Sequence, residues 1–114
     1  MQYDETVSNQ GLCPPAWHVP TESDWNTLFT EWTNSAFAAW PLIYTGFSGF
    51  NAFFSGTVHQ NKTTDWVGFA TFFWSSTSHG TMKAMAHGMN SIDPSVSYYP
   101  ALRTNAFAVR CLKD

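Results

Sequence analysis

The chain has 114 residues, one domain's worth, since single domains usually run to about 100–150 residues. Only 11% of them are Asp, Glu, Lys or Arg, against roughly 25% in an average protein, while 18% are Phe, Trp or Tyr, which excludes a disordered chain. The net charge is -3 and the basic residues Lys62, Lys83, Arg103, Arg110 and Lys113 form no run, so a nucleic-acid partner, which needs clustered cations, is not expected.

In chain order, residues 1–12 read as a polar lead-in to a single domain over 13–114. Asp4 and Glu5 do not fit the basic start of a secretory signal, so any targeting peptide or anchor is expected to lie upstream or to have been removed. Pro14, Pro15 and Pro20 then forbid a helix and favour an extended, turning segment. Thr21 is placed to cap a helix whose third residue, Asp24, offers a carboxylate to the exposed N–H groups. Behind it Trp25, Leu28, Phe29 and Trp32 recur at the spacing of one helical face, which predicts a helix over 22–33. Residues 32–58 carry no charge, yet Asn34, Ser35, Pro41, Gly46 and Gly49 interrupt them, so a membrane span, which needs about 20 mostly apolar residues in a row, is not expected. The stretch 34–49 stays open between a helix continued through Trp40 and a loop imposed by Pro41 and the two glycines.

Beyond Phe50 the pattern changes to short runs separated by Gly, Asn, Asp and Ser, predicting strands at 52–58, 65–69, 71–76, 81–87, 95–99 and 106–112, with turns at 59–64, 78–80 and 90–94. One early helix followed by such strands is an α+β domain with a mostly antiparallel sheet. In the last strand Phe107, Val109 and Cys111 share one face and Ala106, Ala108 and Arg110 the other, which lets that strand lie beside the segment around Cys13 and bring the chain ends together. The two cysteines, Cys13 and Cys111, form no C-x-x-C pair and leave two readings, one bond between the termini of a secreted chain or two buried thiols in a cytosolic one.

Cys13-Pro14-Pro15-Ala16-Trp17-His18-Val19-Pro20-Thr21, the central Trp74-Ser75-Ser76-Thr77 and the terminal Ala106-Phe107-Ala108-Val109-Arg110-Cys111 resemble, in order, three motifs of the Fibrobacter succinogenes major paralogous domain. Ala16 and Ala106 stand where that family usually has glycine, a residue that often marks a positive φ. The resemblance favours the Cys13–Cys111 disulfide. It also implies a compact C-type-lectin-like fold, related to the formylglycine-generating-enzyme group, in an extracellular or lipoprotein-borne bacterial domain. That scaffold serves lectins, an oxidase and hypervariable binding proteins, so the fold does not choose the function.

The oxidase branch resembles a copper enzyme with two active-site thiols, which a Cys13–Cys111 bridge would consume. A glycosidase needs two carboxylates roughly 5–10 Å apart. The acids here are scattered, and Glu22, Asp24 and Glu31 read as a solvated helix face. His18 reads as a packed residue beside Trp17 with a ring nitrogen on a backbone group, and His18, His59, His79 and His87 show no metal-ligand spacing. Asp24-Trp25-Asn26 and Asp93-Pro94 only echo calcium-lectin motifs, so neither a metal nor another cofactor is expected. Asn61-Lys62-Thr63 matches the glycosylation acceptor pattern, which is frequent by chance.

What remains is noncatalytic recognition of a protein or carbohydrate surface through the face 79–103, with His79, Lys83, His87, Asn90, Tyr98, Tyr99 and Arg103 as candidate ligand contacts. Against that, Met82, Met85 and Tyr98 could instead fill the core. Trp17, Trp25, Trp32, Trp66 and Trp74 are read as core or rim packing in preference to a sugar-stacking platform. The alternative is a structural or assembly spacer in a larger bacterial surface protein. No direct membrane insertion is expected in either case.

Overall fold

Prolines on both sides of Trp17 hold the first strand extended, and its partner comes from the far end of the chain. In the computed structural model, which describes residues 11–32, 39–43, 46–93 and 95–114, β1 (Trp17–His18) pairs antiparallel with β7 (Leu112–Lys113). Cys13 and Cys111 are joined in a disulfide with Cα atoms 5.8 Å apart, and the Asp114 N–H donates to the Ala16 carbonyl at 3.0 Å. Most of the lead-in, residue 33 of the expected helix, positions 34–38, 44 and 45 of the open stretch, and Pro94 of the last turn lie outside the described residues.

The capping expectation is met at α1 (Glu22–Glu31). The Thr21 hydroxyl accepts from the Asp24 N–H at 3.1 Å and the Thr21 N–H donates to the Asp24 carboxylate at 3.0 Å. Trp25 and Phe29 are buried, with Leu28 and Trp32 packed partly against the same cluster. In the open stretch a single turn, α2 (Ala39–Leu42), contains Pro41. A first helical turn leaves its N–H groups without intrahelical partners, so a proline there costs no hydrogen bond.

The strands differ from the sequence expectation in length and place. Of 52–58 only β2 (Thr57–Val58) is a strand, and it pairs with β3 (Thr64–Asp65). Residues 66–69 form a turn instead of a strand. The main sheet is antiparallel, in the order β4 (Ala70–His79), β5 (Lys83–Asn90), β6 (Ser97–Leu102). The segment 106–112 is no continuous strand, because it divides its bonds among three partners: Ala106 bridges Val58, Ala108 bridges Phe73, and only then does β7 reach β1.

Both faces of the main sheet are covered. On one, Phe73 and Met89 meet Trp25, Phe29, Leu42 and Val96. On the other, Trp74, Ala84, Ala86 and Ala101 lie under Tyr99, Phe107 and Val109, with the Trp74 and Phe107 rings 4.6 Å apart. Each large side chain so buried contributes about 1.5–3 kcal/mol. The Trp74-Ser75-Ser76-Thr77 motif is where the β4–β5 register shifts. The buried Ser75 hydroxyl donates to the Met85 carbonyl at 2.9 Å, the Ser76 N–H to the Pro20 carbonyl at 2.8 Å, and the Thr77 hydroxyl accepts from the Glu22 N–H at 2.9 Å. The motif thus joins the bulged strand to the start of α1 and is spent on structure. Among the described residues no helix is long and apolar enough to cross a membrane.

Candidate functional site

His18 is fixed by carboxylates instead of the backbone group expected for it. Its Nδ1 lies 2.7 Å from Asp114 Oδ1 and its Nε2 lies 3.0 Å from Asp24 Oδ2. Burial works to lower its pKa, but the hydrogen bonds to Asp114 and Asp24 outweigh it and hold the ring above its ordinary 6.5. Burial likewise works to raise the Asp24 carboxyl, yet the Thr21 N–H and His18 hold it below the usual carboxylate value. With both nitrogens occupied the imidazole offers no lone pair to a substrate. The two carboxylates approach opposite edges of the ring, so the trio closes the chain ends together and does not converge on one point. Among the described residues no three His, Cys, Asp or Glu side chains are grouped to hold a metal.

Of the seven residues expected to contact a ligand, six occupy the main sheet and Arg103 the turn after β6, and they do not share one place. His79 and Lys83 are cross-strand partners at one end, where Arg103 donates to the carbonyls of Lys83 and Gly80. Asn90 is at the opposite end. Tyr98 is 66% exposed, and Tyr99, its neighbour, points to the other face, where burial pushes its phenol up to about 12. His87, expected beside a loop, lies in the middle of β5 and is 1% exposed. It is packed against Trp25 at 5.5 Å and Phe29 at 5.4 Å with no hydrogen-bond partner on either nitrogen among the described residues, and burial depresses its pKa to about 4. It reaches no outside surface. Of the three residues that could fill the core, Met85 does so, while Met82 and Tyr98 are exposed.

A concavity of about 190 Å³ lies at the Asn90 end of the sheet, walled by Trp66, Phe69, Phe72, Gly88, Asn90 and Ser97 among others. Trp66 is 52% exposed, at φ 63, a left-handed conformation unusual for so bulky a residue. The turn that holds it there is closed by its own carbonyl, which accepts from Phe69 N–H at 2.9 Å and Ala70 N–H at 3.0 Å. The Gly68 N–H ties the turn to Phe54, and the Phe69 carbonyl ties it to Ser91. Phe72 forms the floor and is held from behind by Phe107, the rings 5.3 Å apart. Gly88 makes room for that floor, because a Cβ there would stand 2.9 Å from the Phe72 ring and 2.8 Å from Ser97 Oγ. Burial separates the tryptophans as well: Trp25 and Trp74 are core, whereas Trp66 faces solvent. Of the residues around this hollow, the sequence pointed to Asn90 as a ligand contact and to Trp66 as packing, and did not single out Phe69, Phe72, Gly88, Ile92 or Ser97; the available signal was a glycine inside a strand-patterned run, which marks close approach.

Comparison with known proteins bears on the whole chain. No curated protein and no solved structure matched it. The model of the Fibrobacter succinogenes major domain matches residues 2–113. That span takes in the capped helix, the bulged Trp74–Thr77 motif and the paired chain ends just described, and on it the chain belongs to the Fibrobacter succinogenes major domain family.

Proposed function

We propose that this is a noncatalytic binding module, acting outside the cell on a C-type-lectin-like scaffold, that recognises a protein or glycan surface through the end of the main sheet where the 66–69 turn meets residues 88–97. The observation that carries the reading is the group of exposed Trp66, Phe69 and Ile92 around one hollow. Exposed apolar groups gathered in one place mark interaction sites, whereas a spacer has no use for them. The disulfide supports the extracellular part, because such bonds persist in oxidising compartments. It also occupies both cysteines, which leaves no thiol for an oxidase of the formylglycine-generating kind. The adjoining ends of the chain support the lectin-like assignment.

The test is a binding screen of the folded domain against surface glycans and surface proteins. It is repeated with Trp66→Gly and with the triple change Tyr98→Ala, Tyr99→Ala, Arg103→Ala. We expect a ligand whose affinity drops at least tenfold in the first variant. A drop confined to the triple variant would move the contact face to β6 and the Arg103 end of the sheet, and no ligand in either arm would return the domain to a spacer role.

A further inference from the structure

We propose that the hollow beside Trp66 binds one neutral pyranose ring of a glycan. The inference rests on the binding-module reading and names the class of ligand for the same site.

Among the described residues the lining carries no charged side chain, so it offers nothing to pair with an anion or a cation. Its polar groups are complementary to a pair of hydroxyls. Asn90 Oδ1 accepts from the backbone N–H of Ile92 at 3.0 Å and of Asp93 at 2.7 Å. Those two bonds decide which way round the amide sits and leave the Nδ2 donors to be offered. Ser97 Oγ donates to the Gly88 carbonyl at 3.3 Å and keeps lone pairs as an acceptor. A neutral donor and a neutral acceptor beside an aromatic wall suit a sugar, whose polarised C–H groups lie on the negative face of an indole ring while its hydroxyls bond at the edge.

An apolar peptide side chain fits less well. It would strip water from the Asn90 amide and the Ser97 hydroxyl without replacing it, at about 1–3 kcal/mol for each group left unpaired. Size gives the extent of the contact. The hollow of about 190 Å³ is smaller than the roughly 300–1,000 Å³ of sites that enclose a whole drug-sized ligand. One ring enters and the rest of the saccharide lies across exposed Phe69 and Ile92. The hydrogen-bonded turn fixes the backbone that carries the indole before any ligand arrives, which lowers the ordering cost of binding.

The experiment uses cellotetraose, xylotetraose, mannotetraose and galactotetraose as probes, with tetragalacturonate as the anionic counterpart. Binding is read by saturation-transfer NMR and by the quenching of tryptophan fluorescence. At least one neutral probe is expected to bind better than tetragalacturonate. Trp66→Gly is expected to weaken it tenfold or more, Phe69→Ala and Asn90→Ala several-fold, and Trp40→Ala not at all, since that exposed indole does not line the hollow. Trp66→Gly puts at φ 63 the residue that accepts that conformation, so loss of binding cannot be put down to strain; thermal unfolding of each variant checks the fold.

The inference is overturned if no neutral probe binds, if tetragalacturonate binds as well as the neutral sugars, or if Trp66→Gly leaves affinity unchanged. A protein ligand that is lost in Trp66→Gly while every sugar fails would overturn the sugar and keep the binding module. Failure of both sugars and proteins would remove both readings.

Discussion

Ala16 stands at φ 68, in the left-handed region, just before β1. The family motif usually has glycine here, and the backbone shows why, because an L-residue with a Cβ crowds its own carbonyl in that conformation. The penalty is roughly 1–2 kcal/mol, set against about 0.4–1 kcal/mol of unfolded-chain entropy that glycine adds. Ala16→Gly should therefore stabilise the domain by about 0.5–1 kcal/mol in urea unfolding. The other departure behaves differently, since Ala106 is not among the positive-φ residues and is held by two backbone bonds to Val58. Both positions looked alike in the motif, and only the backbone separates them.

At the scale of elements, two histidines give the pH dependence opposite signs. His18 joins β1, α1 and the end of β7, and its pKa is raised, so its stabilisation is present below 6.5 and is lost as pH rises through the raised value. His87 in β5 has a pKa of about 4 and is neutral in the folded state, while an unfolded histidine takes up a proton near 6.5. Between those values the unfolded chain binds more protons, so stability falls as pH falls. The limiting slope is about 1.4 kcal/mol for each pH unit. The aromatic neighbours Trp25, Phe29 and Tyr98 supply no charge to offset it. Asp24, depressed below 3.8, loses its contribution only at still lower pH, outside that window. In an NMR titration His18 should inflect above 6.5 and His87 near 4, and His87→Phe should flatten the loss of stability between pH 6.5 and 5. An unchanged slope in that variant would show that another group drives the acid sensitivity.

For the whole molecule, the dominant constraint is the bond between residues 98 apart in sequence. In the chain-entropy view, closing a loop of that length contributes about 4–5 kcal/mol, a large part of the roughly 5–15 kcal/mol that a domain has in total. The double change Cys13→Ser, Cys111→Ser should lower the unfolding free energy by about that amount. The β1–β7 pairing and the His18 carboxylate contacts remain to hold the ends, so the variant should still fold in the cold and melt at a much lower temperature. A variant as stable as the parent would show that those contacts suffice without the bond.

Much of this is legible in the amino-acid sequence. The Thr21 cap, the Trp25/Phe29 face of α1 and the alternation of Phe107 and Val109 depend on spacing within one segment, and local spacing survives into the fold. The same alternation could not say that both faces of β5 would be sealed. His87 therefore read as a surface residue, although it is enclosed by a helix that begins more than 60 positions earlier. Nor could it show Trp66 turned outward at φ 63, or Phe72 brought over Gly88 to form a floor. A strand's pattern says which residues travel together. What covers them, and which aromatic groups are left facing water, is settled by partners distant in the chain.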